Sequence, residues 1–134
     1  MAEGVGMLGW MINLYDQTTK DPWDVGSLER SNRVACWQTG LGGIQWLDAM
    51  VGRSEALLFS CAGYPEIYIA SALSIKSALR FGVPLHDSPP VIGTDPGSEY
   101  YLPAGWVGEV SLDVRRLDAT RDARLITVEA WDLS

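Results

Sequence analysis

RVACWQTGLGGIQWLDAMV, residues 33–51, decides how the whole chain is read. On a wheel of about 100° per residue, Cys36, Trp37, Leu41, Ile44, Leu47, Met50 and Val51 gather into one broad arc. Gln38, Gln45 and Ala49 lie opposite, as a solvated face would. The pattern predicts one amphipathic helix from Leu28 to Val51. Gly40 and Gly43 fall inside the apolar arc and Gly42 outside it. Three glycines in place of alanine cost about 3 kcal/mol in a helix interior. A continuous helix therefore needs a compensating contact, namely a second backbone approaching closely on the glycine side. The competing reading breaks the segment at 40–43 into two short helices, and the sequence leaves both open.

Toward the N-terminus, Met7–Tyr15 alternates as a strand through Leu8, Trp10, Ile12 and Leu14, although Leu8, Met11, Ile12 and Tyr15 also fit a helical face. The strand is preferred. DQTTKDPWDVGS (16–27) has the composition of a connection. Toward the C-terminus, ALLFSC (56–61) and EIYIAS (66–71) flank AGYP and predict a hairpin, followed by a short helix from Ala72 that stops at Gly82. FGVPLHDSPPVIGTDPGSEYYLPAG (81–105) holds five of the seven prolines, so no regular element is expected there. WVGEVSLDVRRL (106–117) alternates with Trp106, Val110, Leu112 and Val114 on one face, and ARLITVEAWDL (123–133) gives a further strand with Ile126 and Val128 inward. The sum is a single α+β domain over residues 1–134: an antiparallel sheet of four or five strands, one long helix packed on one face, and a second short helix.

Hydrophobic residues make up 47% of the chain and charged residues 20%, a balance that supports a packed core without disulfide or metal. Seventeen acidic against ten basic side chains leave a net charge of −7, which repels nucleic acid and anionic lipid. The apolar run VGMLGWMINLY is too short to span a bilayer and lacks a basic flank, so a cytoplasmic protein is expected. Cys36 and Cys61 lack metal-ligand spacing, and no cofactor is implied.

The sequence offers no catalytic set. GLGG (40–43) has no Lys-Ser/Thr after it, as a phosphate loop would. Cys61, His86 and Asp87 could supply nucleophile, base and orienting acid, but adjacent residues seldom place a carboxylate on the far nitrogen of the ring. A different feature carries the functional expectation. Between Arg80 and Arg115 there is no Lys or Arg, whereas Asp87, Asp95, Glu99, Glu109 and Asp113 all fall there, together with Tyr100, Tyr101 and Trp106. Aromatic side chains anchor interfaces, and unopposed carboxylates speed encounter with a cationic partner. Asp87, Asp95, Glu99, Tyr100, Tyr101, Trp106 and Glu109 are accordingly the predicted docking residues, with Asp16, Asp21 and Asp24 around Trp23 extending the acidic surface.

The expected function is a non-catalytic acidic binding protein that docks on a basic protein partner, of the inhibitor, immunity or anti-defence type. The alternative is a small-molecule-binding module or small enzyme whose pocket, between helix and sheet, is lined by Trp10, Trp37, Trp46 and Trp131. Homo-oligomerisation through an exposed strand, such as the last one, stays open.

Overall fold

The computed structural model describes residues 9–17, 28–60, 65–94, 96–97 and 99–133. Residues 33–51 do not form one continuous helix. Arg33–Thr39 forms strand β2, Leu41–Ile44 a 3-10 turn, and only Gln45–Gly52 an α-helix, α1. Strand β2 lies between β1 (Trp10–Tyr15) and β7 (Val107–Leu112), and pairs antiparallel with both. Ala35, Trp37 and Thr39 are buried at alternate positions, so period 2 governs as far as Thr39 and helical spacing only after the glycines.

Gly43 shows why glycine is required at the junction. A Cβ there would stand 2.0 Å from Thr39 Oγ1 and 2.6 Å from Thr39 Cβ. The close approach anticipated for these glycines exists, but it is made between a strand end and the turn that follows, not between a helix and its neighbour.

The remaining strands are β3 (Ala56–Ser60), β4 (Glu66–Ser71), β5 (Val91–Gly93), β6 (Tyr100–Leu102) and β8 (Leu125–Asp132). Helix α2 (Ala72–Ala78) follows β4 directly, with the Ser71 hydroxyl accepting the Ser74 N–H at 3.2 Å, and α3 (Val114–Ala119) follows β7, capped by Asp113. Among the described residues, six strands make one antiparallel sheet in the order β3-β4-β8-β1-β2-β7, and β5 pairs β6 in a separate two-stranded ribbon. The expected architecture of four or five strands under one long helix is thereby corrected. The sheet is larger, and among the described residues no long helix packs on it and the helices are short.

One sheet face carries Ile12, Leu14, Trp37, Tyr68, Ile126 and Val128, all fully buried, against Leu47 and Met50 of α1, Ile75 of α2 and Leu117 of α3. Burying each such side chain contributes about 2 kcal/mol, which makes this layer the principal source of stability. The opposite face is polar at its centre. Glu129, Asn13 and Tyr15 are buried there, with Asn13 Nδ2 donating to Glu129 Oε1 at 3.1 Å and Arg33 Nη1 to Asn13 Oδ1 at 3.5 Å. Burial, with Glu129 beside it, raises the Tyr15 phenol above its ordinary pKa.

Two further expectations change. Strand β8 lies between β4 and β1, paired on both sides, so the last strand cannot recruit a copy of itself. Val110 and Val114, expected inward, are 50% and 56% exposed: the alternation of β7 breaks at a bulge where Glu109 and Val110 together oppose Trp37, and α3 begins at Val114.

Candidate docking site

The segment after α2 leaves the sheet, forms the β5-β6 ribbon and returns at Trp106. Its two ends are fastened to the end of β2 and the turn after it by His86 and Ser88. His86 Nδ1 lies 2.8 Å from Ser88 Oγ, and Nε2 lies 2.8 Å from Thr39 Oγ1 and 3.0 Å from the Trp106 carbonyl. A carbonyl can only accept, so the proton sits on Nε2 and Nδ1 accepts the Ser88 hydroxyl. Ser88 Oγ in turn accepts the Gly42 N–H, while the Trp106 carbonyl also takes the Gly40 N–H at 3.0 Å and the Ser88 carbonyl takes the Gly105 N–H at 2.9 Å. Ser88 is buried, and the arm is therefore anchored at its base.

Beyond the base the surface becomes apolar. Ile92 and Tyr101 are direct cross-strand partners in the ribbon, exposed to 66% and 61%. Gly93 opposes Tyr100, and a Cβ on that glycine would fall 2.0 Å from the ring, so the tyrosine lies flat across the strand. Leu85 and Phe81, at 98% and 92% exposure, flank the base, with the Arg80 guanidinium 5.2 Å from the Phe81 ring centre.

The predicted docking residues divide between these parts. Glu99, Tyr100 and Tyr101 are consecutive on the ribbon and exposed; the Glu99 carboxylate accepts the Gly97 N–H at 3.3 Å. Asp87 is exposed at the base beside His86, and Trp106 is half-buried where the arm returns. Glu109 is exposed on the β7 bulge, at φ 51°, bonded to Gln38 Nε2 at 3.3 Å. Asp95 lies outside the described residues, as do Asp21, Trp23 and Asp24. Asp16 does not extend an open acidic surface, because it holds Arg124 in an ion pair at 2.8 Å.

Sequence reasoning missed Phe81, Leu85 and Ile92, the most exposed apolar side chains of the arm, and it missed the anchoring by Thr39, His86 and Ser88. The apolar residues gave a signal: isolated large hydrophobics in a proline-rich stretch with no periodicity to bury them. The anchor gave none, because Thr39 stands 47 residues from His86 in the chain and the two meet only in the fold.

Both ring nitrogens of His86 are engaged by Ser88, Thr39 and Trp106, Asp87 makes no part of that network, and Cys61 lies outside the described residues. Trp37 and Trp46 pack against each other in the core with ring centres 6.0 Å apart, whereas Trp131 pairs with Met11 and so faces away from Trp10, whose partner is Asp132. A cavity of about 220 Å³ between α2, α3 and β2 is lined by Val34, Lys76, Leu79, Leu112 and Leu117, with no tryptophan. Among the described residues, no helix is long and apolar enough to cross a membrane. No protein family model matches the chain, and no curated protein or solved structure matches it either.

Proposed function

We propose that this chain is a non-catalytic binding protein whose arm docks on a basic protein, in the manner of an inhibitor or immunity protein that covers its partner's working surface. The observation that carries the reading is the Ile92–Tyr101 pair, held in solvent on a ribbon whose base is tied to the sheet through His86 and Ser88. Anchoring of this kind lowers the ordering cost of association, and a tyrosine beside an aliphatic neighbour is a common energetic centre of an interface. Asp87 and Glu99 on the same arm, with no Lys or Arg between Arg80 and Arg115, favour a cationic surface and a fast, salt-sensitive encounter.

Affinity capture from cells that naturally make the protein tests the reading. Tagged wild type should retain a basic protein, and Ile92→Ala with Tyr101→Ala should reduce retention by about thirtyfold. Asp87→Lys with Glu99→Lys should weaken it mainly at low salt. Equal retention of the same protein by all three forms would refute docking by the arm.

A further inference from the structure

The two edges of the six-stranded sheet are not equivalent. At β7 the edge is interrupted by the bulge at Glu109 and Val110, with Glu109 in the left-handed region and Asp113 just beyond the strand. Such features block the addition of another strand. At β3 five successive residues, Ala56–Ser60, pair in unbroken register with β4 and, among the described residues, with nothing on the other side. That stretch contains no charge and no proline. Leu57 and Leu58, which point to opposite faces of the sheet, are 63% and 39% exposed. Leu57, Ile69 and the exposed Leu125 line a shallow groove along this edge.

We infer that β3 is a self-association edge, at which two copies of this chain join antiparallel about a two-fold axis at Leu58. The register is self-complementary. Leu58 meets Leu58 of the second copy, and Leu57 meets Phe59 of the second copy on one face. An axis normal to the sheet keeps both helical layers on the same side and joins two cores into one continuous sheet. Charge selects this edge over the other. Two chains of net charge −7 repel each other over most of their surfaces, but β3 itself brings no carboxylate to the contact; Glu55, just before it, pairs with Arg53 at 2.9 Å, and Glu66, one strand further in, accepts the Tyr68 hydroxyl at 3.0 Å. The β7 edge would set Glu109 against a second acidic chain. Five paired residues make a small interface, so a concentration-dependent dimer is expected rather than an obligate one.

Sedimentation equilibrium of the full chain, from about 10 μM to about 1 mM, is the test. Wild type should move from the 14.7 kDa monomer toward twice that mass. Leu57→Lys, at a position already in solvent, should weaken association at least about tenfold while leaving the circular dichroism spectrum unchanged. Val110→Lys, on the opposite edge, should associate as wild type does. A monomer at every concentration, undiminished association of Leu57→Lys, or loss of association in Val110→Lys would each overturn the assignment, the first leaving the edge to an extended peptide of another protein.

Discussion

The base of the arm and its tip each place a glycine against a bulky side chain, Gly43 against Thr39 and Gly93 against Tyr100, with opposite results. At the base the contact is sealed: Thr39 and Ser88 are buried, and His86 ties Ser88 and the Trp106 carbonyl to Thr39 at the end of β2. At the tip the same economy of space leaves Ile92 and Tyr101 in water. The difference separates stability from recognition. Residues that fix the arm's position contribute to folding, and those that would touch a partner contribute little to it.

The largest effect that could break this contrast is expected from Gly43→Ala. The added Cβ meets the Thr39 side chain and strand β2 behind it, and unfolding in urea should show a loss of about 3 kcal/mol. A variant as stable as wild type would remove the close approach on which the base depends. Ser88→Ala comes next, at about 2 kcal/mol, because it strands the Gly42 N–H and frees His86 Nδ1. Limited proteolysis should then cut the arm faster while the sheet stays intact.

A pH titration sharpens the comparison from the side of the sheet. The Tyr68 phenol is buried and bonded to Asp48 Oδ1 at 2.9 Å and Glu66 Oε2 at 3.0 Å; desolvation first, then the two carboxylates, raise its pKa far above the usual 10.0. The folded protein keeps this proton where the unfolded chain releases it. The stabilisation is therefore fully present below pH 10 and declines as pH rises further. Stability measured from pH 8 to 11.5 should fall in wild type and fall less steeply in Tyr68→Phe, with equal slopes counting against the assignment. The smallest effect belongs to the tip: Ile92→Ala with Tyr101→Ala should change stability by no more than about 0.5 kcal/mol, even where partner capture is lost. A larger cost would mean that the pair packs against the body and is not held out for a partner.

Much of the sheet was legible one strand at a time. LITVEAWD shows its inward residues directly, since Ile126, Val128 and Ala130 alternate in a run too regular for any other period, whereas in EIYIAS Ile67 and Tyr68 are both fully buried, on opposite faces of the sheet. Residues 33–39 misled for a physical reason. Trp37 lies at helical spacing from Leu41 and Ile44, so a wheel phased on the true helical stretch runs backward through the glycines and absorbs the strand before them. Thr39, fully buried, was the residue that a strand explains and a helix does not. In the site, the acidic interval and the tyrosines could be read from residue types alone, but the burial of Ser88 and the exposure of Ile92 depend on which segments meet.

By itself the sequence determined the acidic charge balance, the hairpin of β3 and β4, and the inward face of β8, because these depend on composition or on residues near one another in the chain. Only the tertiary structure decided that 33–39 is a strand, that β8 is interior while β3 is an edge, and that His86 locks the arm. Each of those outcomes rests on pairing between distant segments, where backbone hydrogen bonding and burial outweigh the small differences in local preference that the sequence displays.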